Sequence, residues 1–288
     1  MEFRPLDQTG STTNPLARHF RQPAIYFKLP SQGAHWPANA LTLPAHGEIG
    51  IMPMTTRDEI TLKTPDALLN GQGVVTVIQS CCPDIKDAWQ MPSIDVDATL
   101  IAIRIASYGN EMDFETTCPH CKTTNEYAID LSQVLSNIQA PNYNVPLEIS
   151  GLKITLKPQP YASANKTNMI AFEEQQLLRS LGDIEDDPDA AKRQFEQHLN
   201  KIIELNVGLL STSTASIIAD DGTVVTDQQY INEFFNNAEN RVIKAVQKRL
   251  KELADEAGIK PVQVTCQTQE CQKEFPVSIT FDYSSFFA

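Results

Sequence analysis

Apolar and polar residues alternate with period two over Glu111–Thr117, and the same rhythm returns over Asn125–Ile129. Alternation sends every second side chain to one face, so both runs predict half-buried strands. Upstream the pattern changes. Leu100, Ile101, Ile103 and Ile105 point around most of a helical cylinder. That predicts a core helix, opened by Asp95 or Asp97 and closed by Gly109 in the left-handed conformation. Arg104 lies inside this run and is expected to be partly buried and paired. Val74–Cys81 is short and β-branched, and fits a strand or a buried helix. Asp130 suits the cap of a short helix from Leu131 to about Ile138. Thr64-Pro65-Asp66 has a cap residue followed by proline at a first helical position. Shorter strand-like runs are Ala24–Leu29, Glu48–Pro53, Val262–Thr265 and Glu274–Phe281. Two hairpins are predicted, Leu147–Leu156 turning at Ser150-Gly151 and Ser216–Thr226 turning at Asp220–Gly222. Helical spacing dominates about 164–181, 188–210 and 228–257, with Gly258 ending the last.

These patterns divide the chain into four expected segments. Residues 1–47 carry Pro5, Pro15, Pro23, Pro30, Pro37 and Pro44, a density that blocks helix and central strand alike. They also carry Phe3, Phe20, Tyr26, Phe27, Trp36 and Leu41, many apolar anchors for a free tail. The segment is therefore expected to be an extended arm that orders against a partner. Residues 48–140 form an α/β half, 141–260 a hairpin plus a mainly helical insertion, and 261–288 a closing strand and tail. The fold class expected is α+β: a zinc-ribbon-like β element, an α/β N-terminal half and an inserted helical region. Phe286 and Phe287 are expected to dock in the chain's own core or on a neighbour.

Charge narrows the function classes. Lys and Arg number 23 against 36 Asp and Glu, a formal net charge of −13. Such a chain has no general attraction for phosphate backbones or anionic membranes. No run approaches 18 consecutive apolar residues, and the first residues lack the basic and apolar runs of a signal peptide. The expectation is a soluble, cytosolic protein. No GxGxxG, Walker loop, GxSxG or HExxH occurs.

Six cysteines sit in three close pairs. Cys118-Pro119-His120-Cys121 has the spacing of a metal knuckle, framed by two predicted strands. Cys266 and Cys271 form a second pair with two extra residues between them, also between strand-like runs. Two thiolates on each of two such turns can converge on one ion. Four thiolates at about 2.3 Å would close the shell of a structural zinc and leave no position for water. Unconnected reduced cysteines and a redox CxxC are the competing readings. His120, inside the first knuckle, is expected to be a solvated loop residue, and Cys81 and Cys82 to be small buried hydrophobes. A zinc enzyme would need an open coordination position beside a general base, and no candidate stands out. A cytosolic zinc-ribbon adaptor or nucleic-acid-associated module would need a basic face. Arg241, Lys244, Lys248, Arg249 and Lys251 are the one cluster, and Glu239, Glu252, Asp255 and Glu256 share their helix.

Several motifs occur in an order that carries a family likeness. They are Gly50–Glu59, Ile78–Cys81, the Asp97 helix through Ile103-Arg104 to Gly109, and Cys118–Cys121 with Asp130-Leu131. After a gap come Cys266 and Cys271, Glu274-Phe275, and Phe281-Asp282 with Phe286-Phe287. Together they resemble the T4-type contractile-tailed phage baseplate protein family, which includes hub and hub-assembly proteins. The CxxxxC spacing, the long arm and the helical middle depart from the pattern. The resemblance implies a virion structural component, hub or hub-proximal, that acts in tail assembly without catalysis. It implies partners among other baseplate, hub and tail-tube proteins, with the tape measure a further candidate, and neither membrane nor nucleic acid. The location implied is the host cytoplasm during assembly and then the tail baseplate of the virion.

Overall fold

A computed structural model describes residues 16, 19–64, 71–169, 201–278 and 286–287. The expected helix start at Thr64-Pro65-Asp66 and the helical sequence over 170–200 lie outside these residues, in whole or in part.

The first core gathers the N-terminal elements. Strands β1 (Ile25–Phe27) and β2 (Ile49–Ile51) pair antiparallel, Tyr26 opposite Gly50. They bring Phe27, Ile49 and Ile51 inward beside Leu29. Helix α1 (Thr56–Leu62) begins at a capping box: the Thr55 hydroxyl accepts from the Asp58 amide and the Asp58 carboxylate accepts from the Thr55 amide. The Val74–Cys81 run is helix. It lies within α2 (Gln72–Cys81), where Val74, Val77, Ile78 and Cys81 are buried at three-and-four spacing while Gln72, Thr76 and Gln79 face out. Gly71 precedes it at φ +73, where an added Cβ would lie 2.7 Å from the Asn165 side chain. Helix α3 (Ser93–Tyr108) is buried on nearly all sides and stops at Gly109, φ +91.

Asp95 does not cap α3. It lies in the first turn with no exposure, accepting from the Ser31 amide, the Ser31 hydroxyl and, at 2.8 Å, the Trp36 indole N–H. That network locks the proline-rich segment onto α3. Earlier in the chain, Arg21 ties the same segment to α1 and α2, donating to Pro53 O, Ser80 O, the Ser80 hydroxyl and the Asp58 carboxylate. From residue 19 onward the surface on which the expected arm orders is this chain's own body.

The second core lies against a four-stranded sheet in the order β5-β6-β7-β8: β5 (Leu147–Ile149), β6 (Leu152–Leu156), β7 (Thr214–Ile218) and β8 (Val224–Val225). The β5–β6 turn places Ser150 and Gly151 both at positive φ, the geometry that suits a two-residue hairpin. Residues 161–169 and 201–212 are helical. The expected single helix over 228–257 is two: α5 (Gln228–Asn237) and α6 (Asn240–Ala257). Ala238 and Glu239 between them are extended. The Asn236 and Asn237 side chains bond the carbonyls of Asn232 and Glu233 at the end of α5, and the bend lets Ile231 and Phe235 join Val242, Val246 and Leu253 in one core.

Two further hairpins form the ribbon. Strand β3 (Glu111–Thr117) pairs β4 (Thr124–Asp130), and Asp130 caps the short helix α4 (Leu131–Ser136). Strand β9 (Val262–Thr265) pairs β10 (Glu274–Val277). Their side chains make a third, small core of Val264 and Phe275 with Phe114 and Tyr127 beneath the sulfurs. Phe286 and Phe287 return to the first core, both nearly fully buried. Arg104 Nε donates to Phe286 O at 3.0 Å and its guanidinium lies over the Tyr108 ring, while its buried Nη1 has no hydrogen-bond partner, so the expected pairing is met only in part.

Candidate metal centre

Each ribbon hairpin delivers its cysteines by the same backbone device. Cys118 follows the last residue of β3 and Cys266 the last residue of β9. The Cys118 amide donates to Thr123 O and the Cys266 amide to Lys273 O, both at 3.0 Å. The residue after the second cysteine has positive φ in both cases, Lys122 at +63 and Gln272 at +44. These matched turns fold each pair back so that both sulfurs face one way. The two extra residues of CxxxxC are taken up by a local turn in which the Cys271 and Gln272 amides donate to Thr268 O. The longer spacing therefore reaches the same end geometry as CxxC.

The four sulfurs converge. Cys118 Sγ lies 3.9 Å from Cys271 Sγ and Cys121 Sγ lies 3.6 Å from Cys266 Sγ. All four ligand atoms lie within 4.8 Å of one another. Thiolates about 2.3 Å from a tetrahedral ion would stand about 3.8 Å apart, whereas a disulfide would bring two sulfurs to about 2.0 Å. The observed separations match the first, and all six cysteines are free thiols. Both short contacts cross between hairpins, the arrangement of a shared ligand set and not of a redox CxxC. Cys118 and Cys266 are buried, Cys121 and Cys271 half-buried.

The electrostatics point the same way. Hydrogen bonds from the Thr123 side chain and backbone bring the Cys121 thiol down to about 6. A hydrogen bond from the Thr268 side chain lowers Cys266. Cys271 receives a lowering bond from the Lys273 backbone, but burial and the other three sulfurs push it up to about 11. Four thiols this close cannot all ionise without a cation among them. Around them, Asn125 Nδ2 lies 3.6 Å from Cys266 Sγ and the Thr268 hydroxyl 3.9 Å from Cys121 Sγ. Neighbours of this kind orient metal ligands and offset their charge. Neither residue was singled out by the sequence pattern. Their only sequence signal is a polar side chain within a few residues of each pair.

Among the described residues no other group of three or more His, Cys, Asp or Glu converges in this way. His120 is exposed and stands outside the cluster. Cys81 and Cys82 have no exposure, and burial pushes the Cys81 thiol up to about 12. They behave as small apolar core residues. The donor set suits one ion with a thiophilic, tetrahedral preference.

The family model described as T4 bacteriophage base plate protein matches residues 25–288, a span that includes both cysteine pairs. The chain belongs to that family. It is thus a phage baseplate protein with a structural role, and its family points to the virion tail and to other baseplate proteins as partners. No curated protein and no solved structure matches it in the other two comparisons. Among the described residues no helix is long and apolar enough to cross a membrane.

Proposed function

We propose that this baseplate protein is a hub or hub-proximal subunit of a contractile tail, non-catalytic, acting in tail assembly and retained in the virion baseplate. Cys118, Cys121, Cys266 and Cys271 hold one structural zinc. The observation that carries the metal is the convergence of four sulfurs from residues 145 to 153 apart in sequence. When bound, the ion would supply a cross-link. With four protein ligands it would have no open position for water or substrate. Segments 48–140 and 261–288 then act as one body, fastened by the ion and by the buried terminal rings, with 141–260 an insertion. Nothing favours nucleic acid as a partner. On α6, Arg249 pairs with Glu252 and Glu256, and Lys248 with Glu252, so that helix neutralises much of its own basic charge.

Elemental analysis of protein purified without chelator should give one zinc per chain, and Cys118→Ser should abolish stoichiometric zinc and lower the melting temperature. Wild type that purifies without stoichiometric metal, and from which Cys118→Ser does not differ in melting temperature, would remove the zinc from the proposal. A mass-spectrometric inventory of purified tails tests the placement separately. The chain should be present in few copies relative to the tube protein, and its absence from finished tails would overturn retention in the baseplate.

A further inference from the structure

A pocket of about 360 Å³ lies where the start of α3, the segment after β6, the end of the helical stretch 201–212 and α6 meet, and no cysteine lines it. Its walls are chiefly apolar, from Ile94, Tyr143, Pro158, Leu209 and Leu250, and two lysines, Lys157 and Lys251, stand in its lining. No Asp or Glu lines it. Lys157 is half-buried and Lys251 exposed, and among the described residues neither has an ion-pair partner. The sign of the lining is the telling point, since it opposes the net charge of the chain. This chain carries 13 more formal negative than positive charges, and on the same helix Lys248 and Arg249 do have carboxylate partners. Ser93, the first residue of the sixteen-residue α3, adds a hydroxyl to the rim, and Pro92 before it offers no side-chain cap.

We propose that this pocket receives a partner segment bearing one carboxylate beside an aliphatic or aromatic side chain. The apolar walls take the side chain and the lysines take the charge. Charge complementarity selects this occupant: a polyanion would be repelled by the whole molecule, whereas a single carboxylate meets a local field of opposite sign. Ile94 on α3 and Leu250 on α6 both pack against the second core, so a seated segment would cover an edge of that core. The four thiols take no part, so the outcome is independent of the metal.

The probe is acetyl-Leu-Asp-amide, titrated into the full chain by saturation-transfer NMR, with acetyl-Leu-Asn-amide as its uncharged isostere. Saturable binding is expected for the Asp peptide, about two- to fivefold tighter than for the Asn peptide, the range of a partly solvated ion pair. Lys157→Gln and Lys251→Gln should each remove that difference. Lys251 is exposed, so its variant should melt with the wild type and keep the test valid if Lys157→Gln folds poorly. Equal affinity for the two peptides, no saturable binding, or an Asp preference that survives Lys251→Gln would overturn the proposal. Displacement by equimolar inorganic phosphate would also overturn it, by showing a simple anion site.

Discussion

At the scale of single residues, the proline-rich segment is held by a few polar anchors. Arg21 is the clearest. Its side chain is 27% exposed and that of Asp58 is 5% exposed, with 3.1 Å between them. Burial alone would raise the Asp58 carboxyl, but bonds from Thr55 backbone and side chain, from Ser80, and the charge of Arg21 bring it below its ordinary value. A carboxylate whose folded value is depressed stabilises the fold above its unfolded value of about 4, and that contribution disappears as pH falls through the folded value. Asp95 works in the opposite sense. Burial raises it despite the bonds from Ser31 and Trp36, so its contribution shrinks as pH rises through its folded value. Arg21→Ala should cost about 1.5–3 kcal/mol in urea unfolding at pH 7. Asp58→Asn should flatten the loss of stability as pH falls below the ordinary carboxylate value of about 4. An acid limb as steep as that of the wild type would show that Asp58 is not the group titrating there.

At the scale of elements, the β3–β4 hairpin places like charges opposite one another. Glu115 faces Glu126 and Glu111 faces Asp130 on the exposed side of the pair. Directly opposed like charges weaken a sheet, so Glu115→Lys should raise the melting temperature by about 1–2 °C. An unchanged or lower value would mean that solvent already screens the pair. This hairpin was also the part most legible in sequence, because strand alternation and the turn between them are local signals. The cysteine pairs were legible for the same reason, as two turns framed by strands. Other features were not. The apolar run before Pro83 reads equally as strand or helix until its neighbours decide which faces are buried. The break between α5 and α6 depends on asparagine side chains competing with backbone bonds, and on a core that the bend itself completes. Arg21 and Asp95 find partners 32 to 64 residues away, a distance at which no periodicity reports. The longer Cys266–Cys271 spacing looked like a departure because the bonds to Thr268 that absorb it belong to the folded turn.

At the scale of the whole molecule, early and late parts of the chain share one interior. Phe287 is among the largest fully buried side chains, and Arg104 holds the carbonyl of Phe286 across 182 residues. Phe287→Ala should cost about 3–5 kcal/mol and weaken hydrogen-exchange protection along α3, while the four sulfurs keep their metal. Loss of zinc in that variant would show that the two attachments are one cooperative unit. The placement of these rings also sets a timetable. A nascent chain emerging from the ribosome has already made β1, β2 and α3, yet their shared interior stays open until position 287 arrives. A polypeptide that stops short of these rings would leave an oily hole where they belong, and should be cut by protease faster than the full chain.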